Sequence, residues 1–180
     1  SQFDVTASWY WNQAKGSTTD NDILVRGSQD WFIPDSRWLY FAQGTWQYDQ
    51  FEAWAHRVSP YGGIGYRLFD QDDLTLTAKG GAGITWQYRG NRVDPQLLGE
   101  LSTNWKIDSR QTLTGFVSIA PDPVDFGNFL LTLTADWKMK VGEDSPWSFN
   151  LGLRNIYNSS PVGDSTSNDL KAYAGLSMDF

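Results

Sequence analysis

The chain has 180 residues, no cysteine, 14 basic against 21 acidic side chains, and aromatic residues at 16% of its length. That length suits one domain, and so many rings beside only 19% charged residues exclude a disordered chain. The missing cysteines exclude a disulfide framework or a Cys-rich metal domain, the net charge of −7 excludes a basic nucleic-acid face, and no apolar run reaches the roughly 18 residues of a transmembrane helix.

Alternation with period two predicts ten strands, because successive side chains of a strand point to opposite faces. The first, over 2–12, sets Phe3, Val5, Ala7, Trp9 and Trp11 against Asp4, Thr6, Ser8, Tyr10 and Asn12. The second, 22–33, carries Arg26 and Asp30 on one phase and Trp31 on the other. The third, 37–48, sets Trp38, Tyr40, Ala42, Trp46 and Tyr48 against Gln43, Thr45 and Gln47. The fourth, 57–69, has Arg57 and Arg67 on its polar phase and is rich in glycine (Gly62, Gly63, Gly65). In the fifth, 74–88, Leu74, Leu76, Ala78, Ile84 and Trp86 alternate with Thr75, Thr77, Lys79, Thr85 and Gln87. In the sixth, 95–107, Leu97, Leu101, Trp105 and Ile107 oppose Glu100, Asn104 and Lys106. A seventh spans 111–120. The eighth, 126–141, is the clearest: Phe129, Leu131, Leu133, Ala135, Trp137 and Met139 against Thr132, Thr134, Asp136, Lys138 and Lys140. The ninth, 146–157, sets Trp147, Phe149, Leu151 and Leu153 against Ser148, Asn150 and Arg154. The tenth, 169–180, sets Leu170, Ala172, Ala174, Leu176, Met178 and Phe180 against Lys171, Tyr173, Gly175 and Ser177.

The connections are expected to alternate strictly. Short turns fall at 34–36, 70–73, 108–110 and 142–145, and longer loops at 13–21, 49–56, 89–94, 121–125 and 158–168. Short turns at one end and long loops at the other are the layout of an outer-membrane barrel, with the short-turn end and both termini in the periplasm. Aromatic placement points the same way. Trp31, Trp38, Trp105, Trp137, Trp147 and Phe180 lie on the apolar phase near the short turns. Trp9, Trp11, Trp46, Tyr48, Trp86, Tyr88 and Tyr157 lie on it near the long loops. Rings gathered in two belts suit the headgroup level of a bilayer, whereas a soluble sandwich or lipocalin-like barrel spreads its rings along a buried phase. The expectation is one all-β domain over 1–180, a closed antiparallel up-and-down transmembrane β-barrel of about ten strands. An apolar exterior with a polar interior also accounts for the negative mean hydropathy of −0.47.

Several stretches resemble a known family: Tyr48-Asp49-Gln50-Phe51, the run His56-Arg57-Val58-Ser59-Pro60-Tyr61-Gly62-Gly63-Ile64-Gly65-Tyr66-Arg67-Leu68, Asn158-Ser159-Ser160-Pro161 with Asp164, and the ending Ala174-Gly175-Leu176-Ser177-Met178-Asp179-Phe180. They are similar to domain-of-unknown-function family 481, the YdiY-type salt-induced outer-membrane proteins. The segment Gly16-Ser17-Thr18-Thr19-Asp20 is similar to that family's first-loop Gly-Asn-Thr type, with Ser17 in place of the usual Asn. The resemblance spans nearly the whole chain and implies an outer membrane of the Gram-negative type. It brings no activity, substrate or catalytic residue. The last strand also resembles the signal read by the barrel-assembly machinery, which is thereby an expected partner during biogenesis. No secretory leader opens the sequence, so Ser1 is expected to follow a removed leader or a trimmed end.

A hydrolase is the sharpest chemical alternative. His56 is the single histidine, with Asp49, Glu52 and Ser59 nearby in sequence. A triad needs its members within mutual reach, and three residues along a strand put His56 and Ser59 on opposite faces. The expectation is an interfacial histidine and no catalytic residues. The inward charges Arg26, Arg57, Arg67, Lys79, Glu100, Lys106, Asp136, Lys138, Arg154 and Lys171 are expected to line the lumen, either as a paired, hydrogen-bonded plug or as the wall of a narrow polar pore. Asp70-Gln71-Asp72-Asp73 lacks the glycine and terminal Glu of an EF-hand, so neither metal nor cofactor is expected. Both rims are acidic, which enriches cations near them. Gly62, Gly63, Gly65, Gly80, Gly81 and Gly83 predict either a tightly coiled wall or a flat external patch where a partner membrane protein (another barrel) or lipid docks. The remaining expected partners are outer-membrane lipid and lipopolysaccharide. The function expected is a narrow or plugged channel for ions or small solutes, or a structural envelope component. An accessory barrel docking a larger outer-membrane assembly is the alternative, and a rim hydrolase using His56 is third.

Overall fold

A computed structural model of the chain describes residues 1–14, 17–50, 55–88, 92–142, 145–160 and 167–178; at residues 8, 10–14, 17–20 and 92 only the backbone is described. The described residues form ten strands: β1 (Gln2–Ala14), β2 (Ser17–Phe32), β3 (Trp38–Asp49), β4 (His56–Asp70), β5 (Leu74–Gln87), β6 (Arg92–Lys106), β7 (Gln111–Pro121), β8 (Phe129–Lys140), β9 (Trp147–Asn158) and β10 (Asn168–Met178). Each strand pairs with its neighbours in the chain, in the order β1 to β10, so the fold is all-β, antiparallel and up-and-down. The alternating phases constrain the register of each pairing, since a one-residue slip would exchange the two faces.

The strict alternation of loop lengths does not hold. β1 and β2 run on through most of the expected loop at 13–21, leaving only residues 15–16 between them. Asn12 pairs with Asp20, and after a register shift Ala14 pairs with Ser17. This stretch is polar on both phases and reads as a loop, but main-chain pairing needs no apolar face. Residues 126–128, expected in the eighth strand, form its lead-in turn instead: the Gly127 and Asn128 N–H groups donate to the Asp125 carboxylate and carbonyl at 3.0 and 2.9 Å. An aspartate that bonds its own backbone two residues on competes with the ladder.

The contacts divide the chain into two compact units. The first comprises Ser1–Gly65, Gly80–Leu98 and Asp122–Val124, thus β1 to β3 with adjoining stretches of β4, β5 and β6. In it Thr6 pairs with Arg26, Arg26 with Thr45, and Ser28 with Gln43, so the polar phases of three strands share one face. The covered face also holds Leu39, Phe41 and Leu98, with Phe32 and Tyr61 against them. Phe3, Val5, Trp9, Trp31, Tyr40, Ile64 and Ile84 are exposed on the other face.

The second unit comprises Tyr66–Lys79, Gly99–Pro121 and Asp125–Phe180. Its registers align Glu100 with Ser118, Ser118 with Thr132, Thr114 with Asp136, Thr134 with Arg154, and Arg154 with Lys171. Glu100, Ser148 and Arg154 are buried, while Leu101, Val117, Ile119, Leu133, Leu151, Leu153 and Leu176 are exposed. In both units polar side chains are among the buried ones and the exposed face is largely apolar, the reverse of the usual pattern of a sheet with one face in water. Side chains of this kind each gain about 1.5–3 kcal/mol when fully removed from water, so an exposed face built from them marks a surface that another apolar surface can cover.

Tight turns close the hairpins. Asp35 takes a left-handed φ of 55° between β2 and β3, a conformation that aspartate tolerates better than most residues. Asp108 holds the β6–β7 turn: one oxygen accepts the Arg110 and Gln111 N–H groups at 2.8 Å each, and the other accepts the Gln111 side-chain amide at 2.8 Å. The Arg110 and Gln111 amides hold the Asp108 carboxyl below the usual carboxylate range.

Candidate functional site

On the face that carries the polar phase, aromatic side chains lie across glycines of neighbouring strands. Tyr61 on β4 crosses Gly83 on β5, and its hydroxyl donates to Gln96 Oε1 on β6. A methyl group at Gly83 would sit 2.5 Å from Tyr61 Cδ1. Tyr173 on β10 likewise crosses Gly152 on β9, and its hydroxyl donates to Asp136 Oδ1 on β8. Tyr173 pairs with Gly152 and Gly152 with Asp136, so the ring spans one strand to reach the next but one. Phe41 on β3 follows the same pattern without a polar tip: its Cε1 and Cζ lie 2.9 and 3.0 Å from where side chains at Gly63 and Gly81 would begin.

These contacts account for the inward glycines of the cluster. Gly63 and Gly81 belong to a tightly coiled wall, because a Cβ at Gly63 would lie 2.6 Å from Gly81 Cα and one at Gly81 would lie 3.0 Å from the Gly62 carbonyl carbon. On the opposite face, Gly62 and Gly80 meet nothing closer than 3.7 and 4.0 Å, so crowding does not require glycine there.

Around Tyr61 the hydrogen bonds form a chain. Thr85 Oγ1 donates to Gln96 Oε1 at 2.6 Å and lies 2.9 Å from Ser59 Oγ. Thr85 has one hydroxyl proton, already given to Gln96, so Ser59 is the donor of that pair. Nearer the long-loop end, Arg57 donates through Nε (2.8 Å) and a terminal nitrogen to Gln47 Oε1, and Arg26 donates to Gln43 Oε1 at 3.0 Å.

The expected inward charges lie on this phase of their strands, in two groups. Arg26 and Arg57 belong to the first unit. Arg67, Lys79, Glu100, Lys106, Asp136, Lys138, Arg154 and Lys171 belong to the second. Glu100 and Arg154 are buried, and Lys106 is exposed at the end of β6. Arg67 pairs with Asp70 at 2.6 Å, and Lys171 with Asp169 at 3.5 Å. Asn150 donates to Ser177 Oγ at 2.9 Å, next to the Lys138–Asn150 register position. Two of the expected basic wall residues are therefore held by glutamines, an amide role that charge counting does not reveal.

His56 stands on the exposed phase of β4 among rings: Trp46 at 5.9 Å, Tyr48 at 5.0 Å and Tyr88 at 6.0 Å between centroids. Ser59 is buried on the other face with Thr85. The structure does not bring the two together. Trp9, Trp38, Trp46, Trp86, Trp105 and Trp147 are exposed, and Trp137 is half-buried edge-on to Phe149 with its N–H donated to Gln111 at 3.2 Å. The Trp9 N–H reaches Asn21 Oδ1 at 3.2 Å. The side chain of Trp11, and Phe180 altogether, lie outside the described residues, as do Phe51, Glu52, Glu143, Asp144 and Asp164. Among the described residues no cluster of His, Cys, Asp or Glu is arranged to hold a metal ion.

A family model described as "Protein of unknown function, DUF481" matches residues 1–180. No curated protein matches the sequence.

Proposed function

This chain belongs to the DUF481 family of proteins of unknown function, and from that premise we propose that it is an integral outer-membrane β-barrel without enzymatic activity. Its role is that of a narrow, largely plugged channel for ions or small solutes, or of a structural component of the envelope. The observation that carries the reading is the inverted polarity of the sheet: Gln43, Ser59, Thr85, Glu100, Ser148 and Arg154 are buried, whereas Leu101, Val117, Leu133, Leu151 and Leu153 are exposed. Strands of 11 to 16 residues meet or exceed the roughly 9–11 that a tilted spanning strand requires. In lipid an unpaired strand edge is costly, so β1 and β10 pair to close the barrel. The inward charges then line the lumen, the termini lie in the periplasm, and the aromatic belts meet lipid headgroups and lipopolysaccharide. The ring cluster around His56 supports an interfacial histidine rather than a catalytic one.

Reconstitution tests the reading. The protein folded from denaturant should float with lipid vesicles, resist protease along its strands, and migrate faster on a gel before heating than after. A folded protein that stays in the aqueous phase without detergent overturns it.

A further inference from the structure

A polar lumen has no use for the layer formed by Leu39, Phe41 and Leu98, which are 1%, 3% and 6% exposed on the face that carries Gln43 and Arg26. Were water in contact with the sheet at this level, these side chains would be among its wall and would be exposed. Phe41 is fixed by its cradle, since Gly63 and Gly81 leave room for the ring to lie against the strands and side chains there would collide with it. Phe32 and Tyr61 pack against the same cluster. The adjoining hydroxyls of Ser59, Thr85 and Tyr61 bond within the cluster, with Gln96 Oε1 as the shared acceptor.

We propose that this layer is a hydrophobic seal: the interior is dry and shut at the level of Leu39, Phe41 and Leu98, and ions or small polar solutes pass only when it is displaced. The inference rests on the barrel reading above and names what closes that barrel. Its physical basis is that small apolar enclosures stay empty of water and that an ion without water or polar partners meets a large desolvation barrier.

The chain contains no cysteine, so a single introduced thiol reports on one position. Leu98→Cys should react at least a hundredfold more slowly with a small charged methanethiosulfonate than Lys106→Cys, at the exposed end of the same strand, both checked for heat-modifiable migration. Comparable rates in folded protein overturn the seal, and this arm is read in detergent whether or not the chain enters bilayers. In planar bilayers, Phe41→Ser and the milder Leu98→Ser should carry at least ten times the mean current of the unaltered protein. Folded variants that insert and stay as silent as the parent, or a parent that already conducts as well as they do, overturn it. Failure of the folded parent to enter lipid counts against the barrel reading instead, and leaves the thiol rates to decide on the seal.

Discussion

At the scale of single residues, Gly152 makes the sharpest demand. Tyr173 lies across it, and a methyl group there would also come within 2.5 Å of Asp136 Oδ1. Gly152→Ala should cost about 1–3 kcal/mol, as overpacking of a fitted site does. Much of that cost should vanish in a Tyr173→Ala background, because the nearest obstruction leaves with the ring and only the end of the Asp136 side chain remains. Denaturant unfolding of the four proteins of this cycle measures it, and additive effects would refute the contact. Asp108 supplies a pH prediction. Its carboxyl accepts three N–H groups in the folded turn, so its folded pKa lies below the unfolded value of about 3.9. The turn therefore keeps this support above that pH and loses it as pH falls through the lower, folded value. An NMR titration should find the Asp108 midpoint below that of an unstructured peptide; a midpoint at or above it contradicts the capped geometry.

At the scale of strands, face decides tolerance. Val117 is exposed on β7, while its neighbour Ser118 points the other way and pairs with Glu100. On the barrel reading Val117→Lys places a charge in lipid and should cost about 2–4 kcal/mol near the midplane. Ser118→Lys gains an acidic neighbour and should be close to neutral. Equal costs in vesicle-folded protein would count against the assigned faces. Periodicity alone revealed all ten strands and the faces of Trp9, Trp105, Leu133 and Arg154, because period two is imposed by the backbone itself. It did not reveal that β1 and β2 pair as far as Ala14 and Ser17, since ladder bonds leave no mark on a sequence that is polar on both phases. Nor did it reveal the layer around Phe41. Leu39 and Phe41 sit beside Trp38 and Tyr40, so this end of β3 is apolar on both phases and alternation is blind there. The glycines that cradle the ring lie on β4 and β5 and are linked to it only by the fold.

At the scale of the molecule, charge is concentrated at the strand ends. Asp35, Asp70, Asp72, Asp73 and Asp108 cluster around the short turns against Arg37 and Arg110, within a net charge of −7. Any current through a Leu98→Ser variant should therefore favour cations. That preference should weaken between 0.1 M and 1 M salt, as the screening length shrinks from about 10 to 3 Å. Reversal potentials under a salt gradient measure it, and anion preference at low salt would mean that the rims do not set the local field. The tyrosine laid across Gly152 also has a mechanical meaning. A ladder paired only between neighbours unzips under load one strand at a time, each costing its own row of bonds. Tyr173 grips Asp136 over the intervening strand, so β10 cannot be drawn away without loading β8 as well. Pulled from its C-terminal end, the protein should yield its last strands together in one larger force step, and Tyr173→Phe should divide that step into smaller ones.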